Sequence, residues 1–454
     1  MGQEQSDNRA IDEALTGALP SSSRVSGGLI FFLATAALNA SNFGFQVFVS
    51  RALGPDVYSA LSALLALLVI ASVPLSALQL ACASAQARLE GPADATHVLR
   101  AVALAGALAS LALLLTHGVV GGYLQIDSIG PLWWLCAWLV LATLSAVPQG
   151  LLIGQSRFTA LGVTALVGAG LCRLGFGAFA TELNLGVNGG MAATAMGQCV
   201  TLLLLMRAVR APHTPRRTRL RLSAMEGAQS TFALTGLAVF SAVDTVLARH
   251  TLTATASGYY SAAATGGRIA LFAPGAIALL AFPRFVRSAE RGGDNRRDFG
   301  LALAGVAGVG LLVVIAVLAV PRLIITLLFG AAYIPATHQL TILAPAGAML
   351  GCLGLATYYH LAHGSGLAFA SWVGAAALAG AEARVRLQGD DLAMAVLITA
   401  TVFAVVSVVA AFVSPSMRFA RGTSRVGRAR GAAAAAVAGG ESGIVVPPDL
   451  GGGG

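Results

Sequence analysis

Between Phe240 and Arg287, two long apolar runs enclose Asp244 and Arg268. In a membrane helix each such charge costs at least about 2.5–3.5 kcal/mol, so both residues are candidates for function. A guanidinium matches phosphate oxygens in bidentate geometry, which makes Arg268 a candidate anion-binding group. A carboxylate in an apolar run can carry H+ or Na+ and couple an ion gradient to transport. It can equally be a permanent counter-ion, and Arg249 and Arg268 are close enough in sequence to keep Asp244 charged. Arg51 and Arg249, each ending an apolar run, join Arg268 as candidate substrate-binding cations. Asn39, Asn42 and Gln46 recur at i, i+3 and i+7, which puts them on one face of a helix. A polar stripe of this kind lines a cavity or bonds across helices, and the nearby Arg51 favours the cavity.

The elements that must position these residues are membrane spans. Hydrophobic residues make up 57% of the 454 and charged residues 10%, less than half the share of a soluble protein. Mean hydropathy is +0.80. Continuously apolar runs of about 20 residues recur along the chain, each enough to cross about 30 Å of hydrocarbon, and they do not alternate as barrel strands do. Twelve spans are expected, near 27–49, 58–83, 101–123, 131–153, 158–180, 187–207, 229–249, 258–283, 300–320, 338–359, 366–383 and 392–413. The expected fold is an all-α polytopic membrane protein with two six-helix bundles, 27–207 and 229–413, around a central cavity. A basic linker, 208–228, joins them, and 1–26 and 414–454 read as disordered cytoplasmic tails. With the N-terminus inside, 21 of the 28 basic residues fall on inner segments and four on outer ones. This places both termini in the cytoplasm of a cell membrane.

Other chemistry is poorly supported. All the basic residues are arginine, which excludes the lysine of a phosphate-binding loop and Schiff-base catalysis. The net charge of +9 is explained by inner-loop arginines meeting lipid headgroups, with no need for nucleic acid. Five cysteines lie in apolar runs without a CxxC pair, and His360 and His363 lack a carboxylate pattern, so no metal, cofactor or catalytic residue is assigned. Arg88 reads as a headgroup anchor, and Arg173 with Glu182 as a pair within a bundle. Pro74, Pro148, Pro274 and Pro345 are candidate hinges, and Trp133, Trp134 and Trp138 an interfacial belt.

The halves also resemble each other. Gln46 through Arg51, then Tyr58, Pro74 and Arg88, is matched by Asp244 through Arg249, then Tyr259, Pro274 and Arg287. Two like halves of six spans imply a pseudo-twofold axis along the membrane normal.

The stretch from Asn42 to Tyr58, with Arg51-Ala-Leu-Gly-Pro-Asp-Val-Tyr58, resembles the first-helix signature of polysaccharide biosynthesis proteins. Asp244 to Arg249, Gly258-Tyr-Tyr-Ser-Ala-Ala, Gly267-Arg268-Ile and Phe329-Gly-Ala-Ala-Tyr333 resemble later motifs of the same proteins. These belong to the multidrug/oligosaccharidyl-lipid/polysaccharide exporter superfamily. The resemblance covers about 27–413 and implies a flippase for a polyprenyl-phosphate-linked oligosaccharide or polysaccharide precursor, working by alternating access. Membrane lipids and glycan-assembly enzymes would be its partners. The alternative within the same plan is a cation-coupled antiporter of the multidrug and toxin extrusion branch, which should rely more on acids. A membrane glycosyltransferase would need acids on a large outer loop, and a scaffold would act through its tails.

Overall fold

The computed structural model describes residues 22–87, 89, 93–126, 128–209, 218–220, 228–291 and 296–413. Arg88 and the tails 1–21 and 414–454 lie outside them, as does most of the linker. Helix α1, Ser22–Ala87, is two arms joined at Gly54, whose φ of 73° and ψ of 171° break the helical path. Glycine occupies this left-handed position without the Cβ penalty, and Pro55 then restarts the helix at fixed φ. The chain reverses there. Gln46 and Tyr58 both reach the hydroxyl of Thr265, although twelve residues of straight helix would separate them by about 18 Å.

The rest of the first half comprises β1 (Ala93–Asp94), α2 (Thr96–Leu115), α3 (His117–Tyr123), α4 (Gly130–Gly154), α5 (Phe158–Glu182) and α6 (Gly186–Val209). Within α5, residues Leu166–Cys172 form a π-helical segment. The linker contributes β2, Thr218–Arg219, paired in parallel with β1. Leu220 follows it into an apolar cluster with Cys82, Val98 and Val147, so the linker is fastened to the first half. The second half holds α7 (Ala228–Thr251), α8 (Ala254–Gly267), α9 (Ile269–Phe272), α10 (Gly275–Arg291), α11 (Arg296–Ala319), α12 (Pro321–Leu328), α13 (Thr337–Ala362), α14 (Ala370–Val385) and α15 (Gly389–Val413).

The protein is all-α and polytopic: among the described residues, ten helical segments are long and apolar enough to cross a membrane. Two features account for the difference from the twelve spans read in the sequence. The first segment, Ala37–Ala87, contains the Gly54 reversal and so holds two of them. The span expected at 258–283 is broken into α8, α9 and α10, at Arg268 and again before Gly275. No single piece is long enough, because Arg268 and Pro274 interrupt it.

The two largest apolar cores lie one in each half. Phe45, Leu61, Leu64, Leu132 and Met191 belong to the first, and Phe240, Tyr260, Phe285, Leu340 and Val396 to the second. Tyr58 crosses from the first half into the second core. On the opposite faces, Leu104, Leu108, Leu111 and Leu115 form an exposed stripe on α2, and Val402, Val405 and Val409 one on α15. Such bands suit contact with lipid tails.

The halves pack tightly at the Gly54 end and separate toward the linker end. Residues 58–66 of α1 are all buried, whereas none of 69–81 is. In the matching element, 260–267 are all buried and 271–273 are not. Contact at the tight end is close. Ser62 Oγ donates to Ser261 Oγ at 2.7 Å, Tyr333 OH donates to the Ser50 carbonyl at 2.8 Å, and Thr255 donates to the Asp56 carboxylate.

Candidate functional site

Asp244 lies on α7 with Phe240 and Ser241 one turn before it, and all three line a narrow, partly open cleft. Arg268 enters the same cleft from the break between α8 and α9, and Leu343 and Val396 close it from α13 and α15. Every described lining residue comes from the second half. Arg268 Nη2 donates to Asp244 Oδ1 at 2.6 Å and to Thr245 Oγ1 at 2.6 Å. The Thr245 backbone N–H also donates to Oδ1 at 2.8 Å, and Tyr260 OH donates to Oδ2 at 3.3 Å. Donors thus converge on both oxygens of a carboxylate whose side chain is only 6% exposed. Asp244 is ion-paired with Arg268 in this conformation. Charge-assisted bonds of this kind are short and about twice as strong as neutral ones. The pair consumes one nitrogen of Arg268. Nε and Nη1 have no partner among the described residues, and the side chain stays 18% exposed.

Arg51 and Arg249 are used differently. Arg249 is buried at the end of α7 and donates to the carbonyls of Leu124, at 2.8 Å, and Gln125, at 2.7 Å, and to Ser59 Oγ at 2.8 Å. Leu124 caps the C-terminus of the short helix α3. His250, next along, stacks on Tyr123 with ring centroids 3.9 Å apart. Arg51 donates from Nε to the Leu328 carbonyl at 2.9 Å and from Nη2 to those of Thr326 and Leu327. These carbonyls end the short helix α12. Helices α3 and α12 each follow a break in the third helix of their half, at Thr116 and Val320. Each arginine therefore caps a matching helix end in the opposite half, where partial negative charge collects. The two sets of bonds make a reciprocal latch across the Gly54 end.

The polar stripe divides. Asn39 is exposed, Asn42 Oδ1 accepts from Arg173 Nη1 at 3.0 Å, and Gln46 Oε1 accepts from Thr265 at 3.4 Å. Arg173 makes no ion pair with Glu182; its guanidinium lies 4.0 Å from the centre of the Phe45 ring. Thr265 and the Ser62–Ser261 contact have no signal in the sequence, because single small hydroxyls in apolar helices carry no distinctive spacing. Among the described residues no group of His, Cys, Asp or Glu could hold a metal.

No family model and no curated protein matches the sequence. Solved structures do match the fold. An inward-facing multidrug resistance transporter of the MATE family, MOP superfamily, is similar over 83% of this chain and 94% of its own, at 14% identity and a TM-score of 0.65. The lipid II flippase MurJ in an inward closed conformation matches over 84% of this chain and 87% of its own, at 12% identity and TM-score 0.63. An aspartate-to-asparagine mutant of the Vibrio cholerae MATE transporter VcmN matches over 86% and 98%, at 16% identity and TM-score 0.58. The fold is therefore the one used by the exporter superfamily that the sequence motifs resemble.

Proposed function

We propose that the chain is a flippase that moves an anionic, polyprenyl-phosphate-linked sugar across the cell membrane by alternating access. The observation that carries this reading is Arg268. It is a guanidinium inside the apolar zone, neutralised on one nitrogen by Asp244 and with two others lacking a partner among the described residues. Such a group can take phosphate oxygens without first breaking its ion pair. The lipid tail would remain among the apolar helix faces, and no chemical step is required of the protein.

The arginine count assigns the linker end to the cytoplasm. The halves then part on the cytoplasmic side, where the headgroup would enter, and the Arg51 and Arg249 latch closes the outer side. Rocking the halves apart at the Gly54 end would release both guanidiniums, which would then face the departing headgroup beside Asn39, Asn42 and Gln46. The cycle would run on an H+ or Na+ gradient or on substrate supply from glycan-assembly enzymes.

The second reading is a cation-coupled drug antiporter, favoured by the MATE-type likenesses. Asp244 would be its acid. In this conformation Arg268 already occupies the position a cation would take, so a coupling ion would have to displace a tethered guanidinium.

Reconstitution into vesicles with fluorescent polyprenyl-linked sugars separates the two. Transbilayer movement of at least one such lipid is expected. Uptake of an organic cation driven by H+ or Na+, with no movement of any polyprenyl-linked sugar, would sink the flippase reading in favour of the antiporter.

The latch makes a separate prediction. Charge-assisted bonds contribute about 1.5–3 kcal/mol each, so Arg51→Gln with Arg249→Gln should shift the population toward outward opening. In a cysteine-free background, Ser62→Cys should then react with an impermeant maleimide from outside several-fold faster than with the latch intact. Equal rates would show that the latch does not hold the outer side shut.

A further inference from the structure

Arg173 is a cation in the middle of an apolar helix, and no acid among the described residues balances it. Among the described residues it makes no salt bridge, and its one hydrogen bond runs from Nη1 to Asn42 Oδ1 at 3.0 Å. The Phe45 ring beneath it supplies a cation–π contact at 4.0 Å, which is worth about 0.5–2 kcal/mol. Its Nε is buried without a hydrogen-bond partner, as is Ser41 Oγ on the facing helix. A buried charge left unpaired is strongly unfavourable, so native proteins rarely keep one without a use. The backbone is irregular as well: the π-helical segment Leu166–Cys172 ends at the residue before Arg173, and such segments concentrate at functional sites.

Its depth follows from the contacts between the halves. Gln46 and Thr265 meet at 3.4 Å across the interface. The first arm of α1 runs toward the Gly54 end, and α8 runs away from it, beginning where Thr255 meets Asp56. Asn42 precedes Gln46 by four residues and Arg268 follows Thr265 by three. Both therefore lie about one turn, or roughly 5 Å, farther from the Gly54 end. Arg173, held on Asn42, thus lies in the first half at about the depth of Arg268 in the second. Asp244 balances one of the two guanidiniums, so among the described residues the second is left without a counter-charge.

We propose that Arg173 is a second anchor for an anionic headgroup, which it reaches from the first half while Arg268 reaches it from the second. The ligand class is a phosphate or diphosphate ester of a long isoprenoid alcohol, held across the interface between the halves. This deepens the flippase reading and rests on it. The bound anion supplies the missing counter-charge of Arg173, and Asn42 orients the guanidinium toward it.

The test uses the full chain in detergent, with farnesyl phosphate and farnesyl diphosphate as probes. Wild type should bind at least one of them. Arg173→Gln should weaken that binding about 10- to 100-fold, the loss expected for one charge-assisted contact, and Arg173→Lys should recover part of it. The ligand-free Arg173→Gln protein should melt at the wild-type temperature or above, because an unbalanced charge has been removed. Loss confined to the diphosphate assigns Arg173 to the second phosphate, and equal loss for both esters assigns it to a shared one; either supports the inference. Unchanged affinity in Arg173→Gln while wild type binds overturns it and leaves the flippase reading standing. A melting temperature several degrees lower with unchanged affinity makes Arg173 a packing residue. Wild type that binds neither probe overturns the inference and the flippase reading together.

Discussion

Replacing Arg268 by alanine is expected to abolish flipping in reconstituted vesicles while the chain still inserts as a helical membrane protein. Two effects combine. The substitution removes the guanidinium whose Nε and Nη1 have no partner among the described residues, and it strips Asp244 of the cation paired with it at 2.6 Å. Breaking one side of a buried ion pair costs about 3–5 kcal/mol, because the remaining charge stays desolvated. Transport loss alone would therefore not separate binding from stability. The double variant Arg268→Ala with Asp244→Asn does so. It removes both charges, and most of the lost melting temperature should return while flipping stays absent. Asp244→Asn alone should keep measurable binding of the anionic lipid, since Arg268 remains charged. Full flipping by Arg268→Ala would sink the proposed site. Recovery of flipping in the double variant would reduce the pair to a structural role.

Gly258→Ala is expected to have the other large effect, at the opposite end of the same helix. A Cβ at this position would lie 2.1 Å from the carbonyl oxygen of Pro55, a backbone atom held by the Gly54 reversal. Neither helix can yield by rotating a side chain, so the halves must separate where Ser62 meets Ser261. Overpacking of this kind costs about 1–3 kcal/mol, enough to unseat a closed state. Flipping should fall by tenfold or more, with the outer side held open. Ser62→Cys in this background should react readily with an impermeant maleimide added from outside. The melting temperature should fall only modestly, because apart from Tyr58 the buried residues of each core belong to its own half. Normal flipping by Gly258→Ala would show that close contact between Pro55 and α8 is not part of the transport cycle.

Much of the fold is legible in the sequence because the membrane imposes it. An apolar run of about 20 residues without water must satisfy its backbone internally, and a helix is the way to do so. The Gly54-Pro55 step and the arginine asymmetry are local signals of the same sort. The repeat of Gln46–Arg51 in Asp244–Arg249 is also visible as spacing, and in the structure Arg51 and Arg249 do occupy matching places. Their partners are not visible. Each caps carbonyls 124 or more residues away, and backbone carbonyls have no sequence signature.

The sequence by itself determines that this is a helical membrane protein, that Asp244 and Arg268 are its costly charges, and which superfamily its motifs resemble. Those properties depend on composition and spacing along one helix at a time. The tertiary structure alone decides that Arg268, not Arg249, neutralises Asp244. It also decides that Arg51 and Arg249 bridge the halves, and that Arg173 lies beside Phe45 without a counter-ion among the described residues. Arginines near the ends of apolar runs look alike in sequence. What distinguishes them is the element packed against each, and that is set only when the helices assemble.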